Sequence, residues 1–188
     1  MMANSLFSLA EEIRKCTACP LWKNTTLAVP GEGSRGAKIM IVGEAPGEEE
    51  DRQGFPFVGR SGKVLDRMLE ISGLDRKQVF ITNAVKHRPP QNRAPQASEI
   101  KVCKELLLDK QIEILKPKLI VVLGGVALKA LLKKGSVEKL HGKIMEKNKQ
   151  QYFVAFHPSA ALRFPETRNK MEEDFRKLKG ILKKIYAE

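Results

Sequence analysis

KIMIVG, residues 38–43, is an almost unbroken apolar run that leads directly into GEAPGEEED, residues 43–51. A short continuous apolar run with β-branched residues is typical of a strand that is covered on both faces, as in a parallel sheet. The segment after it contains two glycines, a proline and four consecutive acids, which is the composition of a loop. A buried strand therefore ends in an unusually acidic polar loop.

The rest of the chain repeats this alternation of apolar runs with longer segments. Three more runs predict strands: QVFITN (78–83), KLIVVLG (118–124) and QYFVAF (151–156). Amphipathic segments predict helices over residues 5–15, 61–72, 96–115, 125–134 and 167–186. The pattern predicts the α/β class, a three-layer α/β/α arrangement around a central four-stranded, mainly parallel sheet. With 188 residues the chain suits one core, and we expect residues 1–188 to form a single domain.

The charge of the chain favours a polyanionic partner. Its 34 bases and 22 acids give a formal net charge of +12, and contacts with phosphates release counterions. Lysine-rich helical stretches explain part of this excess as solvated helix faces. The bases in loops are more suggestive: Arg52, Arg60, Lys86, Arg88, Arg93 and Arg163. Without an apolar run of about 18 residues or a secretory signal pattern, we expect a cytoplasmic, nucleoid-associated protein.

Three polar segments follow predicted strands. GEAPGEEED follows the first, NAVKHRPPQNRAP (83–95) the second, and HPSAALRFP (157–165) the fourth. Open parallel sheets bind ligands at the carboxyl ends of their strands. We therefore expect these three loops to meet at one ligand-binding edge. The formal G-x-G-x-x-G match at residues 31–36 precedes a strand, so it does not fit a dinucleotide site.

The cysteines suggest metal chemistry. Cys16 and Cys19 form a C-x2-C pair, which in a cytosolic chain usually indicates a metal or redox site. Cys103 lies in a predicted helix, where a lone cysteine is more often a core residue. With His87 the three would provide four soft or borderline ligands, suited to an iron–sulfur cluster or to zinc. Spacing does not choose between these metals.

Two polar side chains at strand ends have both a structural and a functional interpretation. His157 directly follows the fourth strand, where a histidine is often only a hydrogen-bonded structural residue. Asn83 closes the second strand, where asparagine commonly forms turns. At a ligand-binding edge, however, an asparagine amide can match one edge of a nucleic-acid base.

The motifs GEAPGEEEDRQGFPFVGRSG, VFITNAVKHRPPQNRAP, KLIVVLG and HPSAALR together resemble those of the family 4 uracil-DNA glycosylases, the iron–sulfur branch. The resemblance runs from Cys16 to about Arg163, with the motifs in the family order. It implies a four-stranded parallel sheet flanked by helices. It also implies a monomeric enzyme that excises uracil from uracil-containing DNA.

The resemblance assigns roles to residues in the pocket. Phe57 matches the ring that stacks on the flipped uracil, and Asn83 matches the amide that reads its N3–H and O4 edge. His157 matches the histidine near uracil O2. Glu44 and Ala45 would line the same pocket with their backbone groups.

Several acids are candidates for orienting or deprotonating the attacking water. Glu44 is the first choice, with Asp51 and Glu50 as water-positioning candidates. In the branch with a GQDPYH motif an aspartate serves the water, and Ala45 occupies that position here. The sequence therefore does not decide which carboxylate is the base.

The resemblance also implies a DNA interface. Leu162 and Arg163 match the wedge that fills the gap left by the flipped base. Arg88 and Arg93, among prolines, would contact phosphates.

One departure concerns the metal. Most family members have a cysteine where this chain has His87, so we expect a structural [4Fe–4S] cluster held by Cys16, Cys19, Cys103 and His87. NAVKH also resembles a related branch that captures uracil-DNA covalently through a histidine in a basic insertion. That insertion is absent, which favours hydrolysis over capture without turnover.

Overall fold

A six-stranded mixed sheet forms the centre of the computed structural model, which describes residues 5–133 and 135–187. The strands are β1 (Glu32–Gly33), β2 (Ile39–Gly43), β3 (Phe80–Asn83), β4 (Leu119–Leu123), β5 (Ile144–Lys147) and β6 (Gln150–Ala155). Their order is β1-β3-β2-β4-β6-β5. The four inner strands are parallel and are the four that the sequence predicted, whereas β1 and β5 pair antiparallel at the edges.

Helices lie before, between and after the strands. They are α1 (Leu6–Arg14), α2 (Glu48–Gln53), α3 (Arg60–Ser72), α4 (Ala97–Cys103), α5 (Asp109–Leu115), α6 (Gly124–Leu132), α7 (Val137–Leu140), α8 (Pro158–Arg163) and α9 (Pro165–Ala187). A π-helical turn, Lys104–Leu108, joins α4 to α5. The predicted helix 96–115 is therefore one helical run with a local change in winding. The last position of the predicted helix 125–134 lies outside the described residues.

Both faces of the sheet are covered, which explains why its strands are continuously apolar. Successive side chains of a strand point to opposite faces. Ile39 and Ile41 of β2 pack in a cluster with residues of α3 and α9. Met40 and Val42 pack in a second cluster with residues of α5 and α6. The three-layer α/β/α prediction is confirmed.

The parallel strands place three loops at the same edge of the sheet. Gly43 ends β2 and pairs with Asn83 at the end of β3, and β6 ends at Ala155, two residues before His157. Thus α2 and α8, both short, begin just beyond this edge. Among the helices formed by the described residues, none combines the length and the apolarity needed to cross a membrane.

Candidate active site

A cavity of about 270 Å³ opens where the three loops meet. Its lining includes Glu44 and Ala45 after β2, Asn83 at the end of β3 and His157 at the start of α8. Phe57, from the loop between α2 and α3, covers one side. The structure therefore brings together Glu44 and His157, which are 113 positions apart in the sequence.

The position of Phe57 depends on two glycines, Gly43 and Gly62, which leave room for its ring and its backbone. Phe57 is buried and has a φ of 54°, an uncommon backbone conformation for a residue with a side chain. A Cβ at Gly43 would overlap the Phe57 ring and the Asn83 amide, and a Cβ at Gly62 would overlap the Phe57 backbone carbonyl. The ring lies 5.8 Å from the His157 ring, centroid to centroid. Such local strain, maintained by close packing, is typical of functional sites.

Asn83 carries an unused acceptor. The residue is 1% exposed, and within the described part of the chain its Oδ1 has no hydrogen-bond partner. Leaving a buried acceptor unpaired costs about 1–3 kcal/mol. Because Asn83 lines the cavity, a ligand with a donor in the right place would remove this cost.

His157 is held as a neutral ring with a defined tautomer. Its Nδ1 accepts a hydrogen bond from the backbone N–H of Ser159 at 3.2 Å, and the Ser159 hydroxyl lies 2.8 Å from the same atom. An accepting Nδ1 leaves the proton of the neutral ring on Nε2. Burial lowers the pKa of His157 to about 4, although the nearby charge of Glu50 opposes this shift. At neutral pH the ring is therefore an uncharged donor.

The three candidate acids occupy different surroundings. Glu44 lines the cavity, and burial raises the pKa of its carboxyl. Glu50 also lines the cavity, but its Oε1 accepts from the backbone N–H groups of Val58 and Gly59, both at 2.9 Å. Its carboxylate thus fixes the loop that carries Phe57.

Asp51 is placed away from the cavity lining. Its Oδ1 accepts from the backbone N–H of Thr26 at 2.9 Å and of Leu27 at 3.3 Å. The side chain is 6% exposed and ties α2 to the segment that precedes β1. This position favours a structural role over the predicted catalytic one.

The model of the uracil DNA glycosylase superfamily matches residues 30–179, a range that contains the whole cavity lining. The chain belongs to this superfamily. It is 48% identical over 188 residues to the type-4 uracil-DNA glycosylase of Sulfurisphaera tokodaii, covering 95% of this chain and 85% of that protein. It is 45% identical to the type-4 uracil-DNA glycosylase of Thermotoga maritima, covering 94% of each chain.

A more distant relative is the type-5 uracil-DNA glycosylase of Pyrobaculum aerophilum. It is 31% identical to this chain over 156 residues, covering 73% of this chain and 68% of that protein. Identity is thus higher, and coverage greater, with the type-4 proteins. The resemblance to family 4 is therefore confirmed.

A second cavity, of about 510 Å³, adjoins the first on the side of α8. Leu162 and Arg163 line it together with Arg60 at the start of α3. Leu162 is 40% exposed. The cavity lining also includes Glu48, Glu49 and Glu50, so the two arginines lie in surroundings of mixed charge. Leu162 and Arg163 were the predicted wedge residues, and that role stays a prediction.

The two predicted phosphate ligands, Arg88 and Arg93, are engaged within the protein. Arg93 donates from both terminal nitrogens to the buried Glu99 carboxylate, at 2.9 and 2.7 Å. Arg88 donates to Asn92 Oδ1 at 2.8 Å and lies 3.4 Å from Glu48. Both arginines therefore brace the loop 87–95, and phosphate binding by Arg88 or Arg93 stays a prediction.

The cysteines meet away from the cavity. Cys19 and Cys103 are buried in one apolar cluster, and Cys16 packs against it. All three are free thiols. Burial raises the pKa of Cys103 to about 11, while the Lys86 charge and a hydrogen bond from the Lys86 backbone act in the opposite direction. Among the described residues, no three His, Cys, Asp or Glu side chains are grouped so as to hold one metal ion.

Contributors to the site that were not predicted include Ser159 and Gly43. Ser159 fixes the His157 ring, and its signal was the sequence His-Pro-Ser, a helix start with proline at the first position. Gly43 provides room for Phe57 and Asn83. A glycine at the end of a strand is a sign of close approach by other atoms.

Proposed function

We propose that this chain is a DNA-repair uracil-DNA glycosylase, which hydrolyses the N-glycosidic bond of deoxyuridine in DNA. The products are free uracil and an abasic site. The observation that carries the proposal is the unpaired Oδ1 of Asn83 in a cavity bounded by the Phe57 ring. An aromatic face beside an acceptor without a donor suits a planar base with an N–H group on its edge.

Asn83 and Phe57 together explain how uracil would be recognised. Uracil N3–H donates to Asn83 Oδ1, and the Asn83 amide N–H donates to uracil O4. Cytosine has an unprotonated N3 and an amino group at these positions, so both contacts become mismatched. A site built for hydrogen bonding rejects such an analogue strongly, by about 10⁴–10⁵-fold in well-studied cases. The flipped base stacks on Phe57, which offsets part of the few kcal/mol lost on leaving the DNA helix.

The reaction needs an electron sink and an activated water. When the bond between C1′ and N1 breaks, its electron pair stays on uracil, and negative charge develops on O2. Neutral His157 donates Nε2–H toward that oxygen, a contact that strengthens as charge develops. Glu44 takes a proton from the water that forms the new bond to C1′. Its raised pKa, caused by burial, brings its basicity closer to that needed at neutral pH.

The test is incubation with uracil-containing single- and double-stranded oligonucleotides, followed by alkaline cleavage of abasic sites. We expect strand scission at the uracil position with release of free uracil. No scission with enzyme in excess would overturn the proposal. Covalent capture instead would give a protein–DNA adduct that survives a denaturing gel. His87 is 6% exposed and is not part of the described cavity lining, which favours turnover.

Substituting Asn83→Asp should relax the choice of base. A protonated carboxylic acid donates toward cytosine N3, and its carbonyl accepts from the cytosine amino group. We expect the ratio of uracil to cytosine excision rates to fall by about tenfold or more. Asn24→Asp, the same change at an exposed position, is the control. Unchanged selectivity in Asn83→Asp would contradict the assignment of Asn83 as the base reader.

We further propose that Cys16, Cys19, Cys103 and His87 hold one [4Fe–4S] cluster. The shared apolar cluster of the three thiols supports this. His87 is buried and follows Lys86, whose charge acts on the Cys103 thiol.

When bound, the cluster supplies cross-linking rather than redox chemistry. It would connect the segment after α1 to α4 and to the start of the loop 87–95. That loop contains Arg93, which lines the cavity and is paired with Glu99 of α4. The protein would act as a monomer on uracil-containing DNA.

Substituting Cys16→Ser should remove iron and lower the unfolding temperature together. His87→Cys should keep the fold and slow the loss of iron in air, because thiolate is the commoner cluster ligand. The measurements are iron and sulfide content, the visible absorption spectrum and the thermal unfolding midpoint. Zinc without iron or sulfide would exclude the cluster. Iron content and a spectrum unaffected by His87→Ala would exclude His87 as the fourth ligand.

A further inference from the structure

Lys86 is a cation in the interior of the protein. The sequence placed it among the loop bases that face a polyanionic partner, but the structure gives it 0% exposure. The expectation was wrong because position 86 follows β3 closely enough for the side chain to turn back under the loop. Burying a charge is costly unless hydrogen bonds replace its water.

Three neutral oxygens surround the Lys86 ammonium. Nζ donates to Thr82 Oγ1 at 2.6 Å, to the Asn83 backbone carbonyl at 2.8 Å and to Gln111 Oε1 at 2.7 Å. These three bonds use all three donors of an ammonium group. Burial lowers the pKa of Lys86 to about 8, whereas the neighbouring Cys103 acts to raise it.

The acceptors are themselves fixed. Gln111 Nε2 donates to the Pro30 carbonyl at 2.6 Å, and Thr82 Oγ1 donates to the same carbonyl at 3.1 Å. Gln111 belongs to α5, and Pro30 precedes β1. The Lys86 side chain therefore ties the end of β3 both to a helix and to the neighbouring edge of the sheet.

The hydrogen bond from Lys86 Nζ to the Asn83 carbonyl has the most direct effect on the cavity, because Asn83 lines it. It is the last residue of β3, so its carbonyl lies where the strand pairing ends. Fixing that carbonyl fixes the backbone from which the Asn83 side chain reaches into the cavity. The same Asn83 presents the unpaired Oδ1.

The geometry points to Lys86 as a positioning residue for Asn83, acting through the Asn83 carbonyl to set the base-reading amide. This inference rests on the proposed function. Lys86 itself does not line the cavity among the described residues, so its effect must pass through Asn83. Misplacement of a positioned group by about 1 Å can cost about 10²-fold in rate.

A double-mutant cycle tests the inference. Single-turnover uracil release from a duplex oligonucleotide is measured for wild type, Lys86→Met, Asn83→Ala and the double variant. We expect Lys86→Met to lower the rate about 10²-fold when Asn83 is present and less than about threefold in the Asn83→Ala background. Equal fold losses in both backgrounds would overturn the inference. Affinity for DNA with an abasic site, which lacks the base, should be unchanged by Lys86→Met.

A second pair of variants covers the case in which Lys86→Met fails to fold. Thr82→Val removes one acceptor of the ammonium at nearly constant volume, and Thr82→Ser keeps the hydroxyl. Thr82→Val should lower the rate of uracil release only when Asn83 is present, whereas Thr82→Ser should keep a rate close to that of wild type. Equal rates of uracil release for Thr82→Val and Thr82→Ser would overturn the inference. If the wild-type protein releases no uracil, the proposed function fails. If it releases uracil but the Lys86 and Asn83 substitutions lower the rate independently of each other, only this inference fails.

Discussion

His157→Ala lowers the single-turnover rate of uracil release by about 10²–10³-fold, the usual cost of removing one preorganised donor to a developing oxyanion. Binding of uracil-free DNA stays near the wild-type level, because the ring acts on charge that forms only during bond breaking. Ser159→Ala is the graded comparison. It keeps the ring but removes the hydroxyl next to Nδ1, so we expect a smaller loss. A near-normal rate in His157→Ala would show that another group stabilises the leaving uracil.

The low pKa of His157 adds a dependence on pH. With a pKa of about 4 in the folded protein, His157 stays neutral where an ordinary histidine, at 6.5, would be titrating. The unfolded chain binds this proton below 6.5 and the folded protein does not. His157 therefore lowers the free energy of unfolding as the pH falls from 6.5 towards 4. Chemical denaturation across this range should show a shallower decline for His157→Ala than for wild type.

Glu44→Gln lowers the single-turnover rate by about 10²–10⁴-fold, the range for loss of a general base. Burial raises the pKa of Glu44, so wild-type activity falls as acid protonates this carboxylate, at a pH above that of an ordinary glutamate. The glutamine variant lacks this acid limb in its profile of rate against pH.

Asp51→Asn is the matched comparison for the choice of base. Asp51 holds the backbone of Thr26 and Leu27, so its substitution should lower the unfolding temperature more than the rate. A large loss of rate in Asp51→Asn with little loss in Glu44→Gln would reverse the assignment.

The parallel core of the fold was predictable because burial on both faces leaves a clear sequence signal. The continuous runs of β2, β3, β4 and β6 gave their positions within a few residues. The edge strands gave no such signal. β1 is two residues long, and β5 alternates between exposed and half-buried side chains, so both depend on pairing with a neighbour.

The sequence could not predict which acid of the segment 48–51 faces the cavity. Residues 48–51 lie in the first turn of α2, and successive residues of a helix point about 100° apart. Glu50 consequently meets the backbone of the Phe57 loop, whereas Asp51 meets residues 26 and 27. Which acid faces the cavity depends on where the helix starts, and four identical charges in a row do not indicate that.

Long basic side chains were the hardest to place. Arg93 and Lys86 have the loop positions expected of DNA ligands, yet one is paired with Glu99 and the other is enclosed by oxygens. Their partners lie on α4, α5 and β3, and only tertiary packing brings these elements together. The wedge candidate Leu162 was predicted from the family resemblance, and the structure places it, 40% exposed, on the short helix α8.

The packing of Phe57 over two glycines also constrains how the pocket changes along an evolutionary lineage. Alanine at position 43 is excluded while the Phe57 ring and the Asn83 amide are both in place, because its methyl group would overlap the two of them. A smaller side chain at position 57 would remove only one of these obstacles, so glycine at position 43 is retained as long as Asn83 keeps its position. Position 62 is constrained by the main chain instead, since a Cβ there would overlap the backbone carbonyl of residue 57. Glycine is retained there on every mutational path that preserves this loop.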